Sequence, residues 1–324
     1  MTSLLEFVNF GLRLAHGLTL TQTVSLRIGA GEIVGLVGES GSGKSVTARS
    51  ALGLKPAGSQ TVGKVLFEGR DICTMPEPEL NAVRRHGAAI IFQNPRSALD
   101  PVRTIGHFLT ETLIRHDGVS RREAASRAIA AMADVGISHP ERRMNQYPHE
   151  LSGGMLQRVA ICAAVLSGAR LLLADEATTA LDVTTQAEVV GLLQRLRDQR
   201  GIGALFITHD LELAKATCSR IYVMYAGRIM EELATRNFDE DAAHPYTRAL
   251  LAARPSLERR VARLAAIPGF PPTASGVSNR CAFASRCSCS IPECVAGEPG
   301  LQQVTHDHWV RCVRARDFAP VGGE

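Results

Sequence analysis

The stretch Ile33-Val34-Gly35-Leu36-Val37, followed without a break by Gly38-Glu39-Ser40-Gly41-Ser42-Gly43-Lys44-Ser45, decides the fold of this chain. The first five residues read as a buried strand. The next eight fit the spacing G-x-x-x-x-G-K-S/T and run into a helical pattern, Ser45 to Leu54. Glycines at 38, 41 and 43 let backbone N–H groups turn inward around phosphate oxygens, and a helix N-terminus behind them adds partial positive charge. Ser40 and Ser42 lie within the same phosphate-cradling loop. Lys44 supplies a compact cation for the β- and γ-phosphates of a nucleotide, and Ser45 a hydroxyl ligand for Mg2+.

Outward from the loop, Val24 to Ile28 alternates with period two, and strand-like pieces follow at Gly63 to Phe67 and Ala88 to Phe92. Residues 95–165 turn helical, with Arg121 to Val135 the clearest amphipathic run. Strand patterns resume at Leu171 to Ala174, Ala204 to Thr208 and Ile221 to Met224. Buried strands alternating with helices predict a largely parallel sheet carrying an inserted helical subdomain. Asp175 ends one of those strands, where it can reach a Mg2+ shell, and Glu176 after it is placed to polarise an attacking water. Leu151-Ser152-Gly153-Gly154-Met155-Leu156-Gln157 precedes a helix, so Ser152 and its glycines can offer hydroxyl and N–H donors to a phosphate.

At 324 residues the chain is long enough for about two domains. Apolar residues at 45% and charged residues at 21% exclude a disordered or fibrous chain. A net charge of +4, with the tightest basic clusters no more than short pairs such as Arg84-Arg85 and Arg142-Arg143, reads as solvated helix faces rather than a nucleic-acid surface. Val159 to Ala174 is broken by Gly168 and Arg170 and falls short of the roughly 18–20 apolar residues of a membrane span. Met1 to Phe10 has no basic start of a secretory signal, so a cytosolic chain with reduced thiols is expected.

Past Pro255 the composition shifts to prolines and cysteines, and a small loop-rich appendage built around something other than an apolar core is expected. Five of eight cysteines, Cys281, Cys287, Cys289, Cys294 and Cys312, fall within 32 residues. The spacings from Cys281 to Cys287, on to Cys294 and on to Cys312 are x5, x6 and x17, none of them a C-x2–4-C knuckle. Four thiolates on an irregular loop (Cys281, Cys287, Cys294 and Cys312) suit a 4Fe-4S iron–sulfur cluster, with Zn2+ or bare thiols as alternatives. Cys289 is then surplus. His306 and His308 are stand-in ligands under the zinc reading and otherwise exposed loop residues.

The order of Gly38–Ser45, Gln93, Leu151–Gln157, Asp175-Glu176, Ala180-Leu181-Asp182 and His209 resembles the nucleotide-binding subunit of an ATP-binding cassette (ABC) transporter, over residues 4 to 250. The resemblance implies an α/β P-loop ATPase cassette: a RecA-like core, an antiparallel β subdomain and an inserted helical subdomain at 95–165. It implies that Gln93 touches Mg2+ or water and reports to the membrane subunits, that His209 contacts the γ-phosphate, and that Asp182 lies in a loop crossing a dimer interface. In such dimers two cassettes pack head to tail, so Ser152, Gly153, Gly154 and Gln157 close over ATP held by the partner chain. Two positions depart from the pattern. Leu14 stands where an adenine-stacking aromatic is usual, and Ala177 where Pro commonly follows the glutamate.

His244-Pro245-Tyr246-Thr247-Arg248-Ala249-Leu250, Ile267-Pro268-Gly269, Pro271-Pro272 and Cys281-Ala282-Phe283 with Arg286-Cys287 resemble the tails of bacterial dipeptide/oligopeptide importer ATPases, a family that also serves nickel and other small solutes. That resemblance implies a cassette at 1–255, a small Cys-rich C-terminal domain at 256–324, and relatives thought to bind an iron–sulfur cluster through this tail. It further implies two membrane permease subunits, a second ATPase that is a paralogue, an extracytoplasmic solute-binding protein, and a peripheral position on the cytoplasmic face of the inner membrane. Rival readings are an ABC ATPase acting on nucleic acid or ribosomes, a redox-sensing regulator, and an exporter cassette. Only 57 residues separate Gln93 from Leu151, too few for the long coiled coil of repair members, and Lys44 and Glu176 are intact.

Overall fold

The structure, a computed structural model, describes residues 3–179, 181–254, 266–277 and 279–318. Its strands are β1 (Ser3–Arg13), β2 (Thr19–Gly29), β3 (Ile33–Val37), β4 (Gln60–Phe67), β5 (Arg70–Asp71), β6 (Ala88–Ile91), β7 (Leu171–Asp175), β8 (Gly203–Ile207), β9 (Arg220–Tyr225), β10 (Arg228–Ala234), β11 (Gln302–Thr305) and β12 (His308–Val310). The helices are α1 (Lys44–Ser50), α2 (Glu77–Ala82), α3 (Ile105–Arg115), α4 (Arg121–Asp134), α5 (Pro140–Met144), α6 (Gly153–Leu166), α7 (Val183–Arg200), α8 (Leu211–Thr217), α9 (Phe238–Asp241) and α10 (Pro245–Ala252), besides shorter turns. The chain forms two compact units, one of residues 28–33 and 74–208 with the first few residues, the other of 6–27, 34–73 and 209–324.

In the first unit β8, β7 and β6 lie side by side and parallel, with Asp175 opposite Ile207 and Ile91 opposite Ala174. Every residue of β7 and β8 is buried. Parallel strands covered on both faces need unbroken apolar runs, which is why Leu171-Leu172-Leu173-Ala174 carries no alternation. Helices α3, α4 and α6 pack on one another. Gly106 in α3 is required there, because a Cβ would sit 2.7 Å from the Met144 carbonyl oxygen. Ser120 and Ser152 cap α4 and α6, accepting from the N–H groups of Glu123 and Met155.

The second unit holds a sheet ordered β2-β1-β4-β5 and a strand run β11-β12-β10-β9-β3. β3 pairs parallel with β9, whereas β9/β10, β10/β12 and β11/β12 are antiparallel. The parallel pairs match the sequence expectation, but β10, β11 and β12 escaped it. Strand β10 buries charged residues, Arg228, Glu231 and Glu232, which erases its apolar signature, and β11 and β12 are too short to show one. The helix expected from Ser45 to Leu54 ends at Ser50, with Gly53 beyond it at φ +63°. No described helix is long and apolar enough to cross a membrane.

Arg228 and Glu231, both fully buried in the second unit, are each held by several hydrogen bonds. Arg228, fully buried, donates to Glu298 (2.8 Å), Gln22 (2.8 Å) and the carbonyls of Val277 (2.7 Å) and Ala226 (3.0 Å). Glu231, also fully buried, accepts from the N–H groups of Ala243 (2.6 Å) and His244 (3.2 Å) and pairs with His308 Nε2 at 2.7 Å. His308 is therefore a buried residue of β12, neither the exposed loop histidine nor the zinc ligand entertained from sequence. Removing one partner of such a pair leaves the other charged and dry. Glu298→Ala should destabilise the fold by about 3 kcal/mol in urea unfolding, because Arg228 cannot leave its burial. Glu298→Gln, which keeps an acceptor, should cost clearly less.

Candidate functional site

The phosphate loop begins where the buried strand β3 ends. Gly38 has φ +150°, and a Cβ there would lie 2.1 Å from the Met224 carbonyl oxygen. Gly43 has φ +106°, with Met224 Cε 2.9 Å and the Leu20 carbonyl oxygen 3.2 Å from the same point. Gly41, at φ +78°, faces open space. Packing thus dictates glycine at two positions and backbone conformation alone at the third. Lys44 opens α1, is buried, and donates from Nζ to the carbonyls of Gly38 (2.8 Å) and Glu39 (2.9 Å). Gly43, the N-cap, brings no side-chain acceptor to the first turn. Ser40 is exposed, Ser42 buried and Ser45 half-buried. An unhindered N–H-rich backbone with one arched ammonium fits nucleotide phosphates.

His209 belongs to the same unit and is exposed, one residue before Asp210, whose Oδ1 accepts the Leu213 N–H at 3.0 Å to cap α8. Leu14, at the expected place of an aromatic, sits half-buried in the β1–β2 turn, its N–H bonded to the Leu18 carbonyl at 2.8 Å.

The first unit carries the carboxylates. Asp175 closes β7 and is buried, a hard oxygen donor at a strand's C-terminal end. Glu176 adopts φ +51°, left-handed backbone that a non-glycine residue rarely takes. Its N–H donates to the Ile207 carbonyl at 3.1 Å, which keeps the backbone tied while the side chain is redirected from that of Asp175. Gln93 Nε2 donates to Glu176 Oε2 at 3.1 Å and Thr179 Oγ1 to the same oxygen at 3.4 Å. Gln93 and Glu176, 83 residues apart in sequence, are therefore direct neighbours.

Ser152, the N-cap of α6, is exposed with Gly153, and its Oγ accepts the Met155 N–H at 3.4 Å. A Cβ on Gly154 would strike Thr185 Cγ2 at 2.4 Å. Thr185 in turn donates its N–H and Oγ1 to Asp182 at 3.0 and 2.7 Å, and these bonds hold the exposed Asp182 carboxyl below its usual range. The segments at 152–154 and 182–185 thus form one small cluster. Gln157, expected to close over ATP held by a partner chain, is fully buried, its amide atoms without a hydrogen-bond partner among the described residues.

Among the described residues no three or more His, Cys, Asp or Glu side chains come together to hold a metal ion, so neither the zinc site nor the iron–sulfur centre expected from sequence is shown. Cys281, Cys294 and Cys312 are nonetheless buried, with Cys287 half-buried. Burial pushes the Cys312 thiol up to about 11, and Cys281, Cys294 and Cys287 add to the effect. The four expected thiols lie within electrostatic reach of one another without converging on a point.

Sequence reasoning missed the partners of Glu39. Its N–H donates to Tyr246 Oη at 2.9 Å, and its carboxylate meets Arg286 at 2.6 and 3.1 Å. No local pattern signals contacts spanning 207 and 247 residues.

Residues 21–179 match the ABC transporter family model, and 230–294 that of the oligopeptide/dipeptide transporter C-terminal region. The chain is 43% identical to "Probable peptide ABC transporter ATP-binding protein y4tR" of Sinorhizobium fredii, covering 91% of this chain and 89% of that one. It is 41% identical to the oligopeptide transport ATP-binding protein OppD of Bacillus subtilis, covering 92% and 84%. The dimeric structure of a bacterial ABC transporter cassette, MJ0796, superposes with TM-score 0.63 at 28% identity, over 72% of this chain and all of that one.

The two loop glycines make opposite demands on substitution. Gly38→Ala should abolish ATP binding and lower the melting temperature sharply, since its Cβ meets a backbone oxygen. Gly41→Ala should fold, at a cost of about 1–2 kcal/mol for left-handed backbone, and retain measurable ATP binding by calorimetry.

Proposed function

The chain belongs to the family of ATP-binding subunits of ABC peptide transporters, an ATPase serving peptide import, and from that membership we propose how its own residues carry the activity. ATP phosphates bind on the backbone of Gly38, Ser40, Gly41, Ser42 and Gly43, with Lys44 as the compensating cation. Ser45, Asp175 and Gln93 are the residues that would hold Mg2+, which when bound neutralises phosphate charge; a hydroxyl, a carboxylate and an amide oxygen form a donor set suited to that ion. Glu176 takes the proton of the attacking water, and His209 steadies the γ-phosphate.

The observation that carries the hydrolytic reading is the Glu176 carboxylate, set on left-handed backbone and bonded by Gln93 and Thr179. A base aimed in this way deprotonates water without first reorienting. Gln93 also ties hydrolysis to whatever moves its own loop, which suits a subunit driven by membrane partners. Glu176→Gln should retain ATP binding and lower single-turnover hydrolysis by roughly 10²–10⁴. Hydrolysis equal to the native rate would reject Glu176 as the base.

The working assembly is two cassettes with two permease subunits, and residues 1–255 and 256–324 serve as cassette and C-terminal peptide-transporter region. Ser152, Gly153 and Gly154, presented on an exposed helix start, close over ATP on the second cassette, with Asp182 alongside. The second cassette is a paralogue, and an extracytoplasmic binding protein delivers the peptide. The chain works peripherally, on the cytoplasmic face of the membrane. Reconstituted with its permease, the complex should import labelled di- or oligopeptides in an ATP-dependent way; nickel uptake without peptide uptake would reject the cargo.

Cys281, Cys287, Cys294 and Cys312 are the residues that would hold a 4Fe-4S cluster. The thiols of Cys281, Cys287 and Cys312 are each raised by burial and by the neighbouring thiols, so the four lie near one another on one loop-rich segment. Such a cluster would cross-link a loop whose own apolar core is small. Anaerobically purified protein should contain iron and absorb broadly near ~400 nm, and Cys312→Ser should lose both while Cys289→Ser keeps them. Stoichiometric zinc without iron would reject the cluster.

A further inference from the structure

Arg286 lies between Cys281 and Cys287 in the C-terminal region, yet its guanidinium is used on the phosphate loop. Nη1 donates to Glu39 Oε2 at 2.6 Å and Nη2 to Oε1 at 3.1 Å, a two-pronged grip. The remaining N–H groups go to Tyr225 Oη (3.1 Å), the Pro268 carbonyl (2.7 Å) and the Ile267 carbonyl (3.3 Å). All five donors of the fork are thus engaged, and the side chain is only 5% exposed. A surface ion pair formed by chance does not saturate its arginine in this way.

Glu39 is the second residue of the phosphate loop, and each of its polar groups is held. Its carbonyl accepts from Lys44 Nζ at 2.9 Å, its N–H is fixed by Tyr246 Oη, and its carboxylate by Arg286. Phe283, three residues before Arg286, packs on Tyr246 and Tyr225 with ring centroids 5.3 and 5.4 Å apart. The cysteine-bearing region therefore reaches one loop residue by two routes, through charge and through the aromatic cluster.

We propose that Arg286 is a positioning residue of the phosphate site, neutralising the Glu39 carboxylate and bracing the loop, so that nucleotide binding and the order of residues 281–287 are linked. The inference rests on the phosphate loop binding ATP. An uncompensated carboxylate in the loop would repel an anionic ligand and release the backbone that aims Lys44. Linkage is reciprocal: if the brace raises affinity for nucleotide, nucleotide must tighten the brace.

The test uses the full chain and MgATP. Arg286→Ala should weaken MgATP binding roughly tenfold, more at low salt than at high, and Arg286→Lys by less. Adding Glu39→Gln to Arg286→Ala should restore most of the affinity, since the offending charge is gone. A purely structural arginine would show no such rescue. In the native protein MgATP should slow amide hydrogen exchange at Ala284, Arg286 and Cys287 by about threefold or more. If Arg286→Ala fails to fold, that exchange measurement decides alone. Unchanged affinity in Arg286→Ala, a loss that Glu39→Gln leaves unrepaired, or exchange indifferent to MgATP would each overturn the proposal. Native protein that binds no MgATP would instead reject the ATP site itself.

Discussion

A backbone that must turn its N–H groups toward an anion can carry no side chains at the turning points, and the second unit is organised around that requirement. At Gly38 the Met224 carbonyl oxygen already occupies the neighbourhood a Cβ would need, 2.1 Å away. Strand β9, which supplies Met224, therefore closes one side of the loop, while β3 runs into it from beneath. Lys44 bonds the loop's own carbonyls, at Gly38 and Glu39, which holds the ammonium close to the loop.

The first unit answers a different demand, the redirection of one carboxylate, Glu176. Glu176 could have continued the extended line of β7, but left-handed backbone at a strain of order 1–3 kcal/mol sends it elsewhere than Asp175. The parallel ladder to β8 holds the peptide there through the Ile207 carbonyl. Such strain persists only where surrounding bonds over-determine it, and at Glu176 they come from Gln93, Thr179 and Ile207.

Buried charge is the recurrent device in the C-terminal part. Arg228 with Glu298, Glu231 with His308, and Arg286 with Glu39 join this region to strand β10 and to the phosphate loop. Each pair is expensive to desolvate, and each is completed by backbone carbonyls or N–H groups. Apolar packing alone would tolerate sliding; directional bonds to saturated forks do not. A region with little apolar core is thereby held in one register, and β12 is pinned beside β10.

Local sequence determined the parts of this protein whose physics is local. Glycine spacing and the lysine after it pointed to a phosphate loop, because glycine adopts positive φ without a Cβ in the way; unbroken apolar runs pointed to β3, β7 and β8, because parallel strands buried on both faces favour them. The order of motifs identified the family, and the resemblance implied roles for Gln93 and His209 that neither residue type could announce alone. What tertiary structure decided is whatever depends on distant residues meeting. The Gln93–Glu176 bond, the burial of Gln157, the pairing of His308 with Glu231 and the grip of Arg286 on Glu39 leave no periodicity or spacing behind. Strand β10 was illegible for the same reason, since its buried Arg228 and Glu231 look like surface residues until their partners arrive from 70 and 77 residues away.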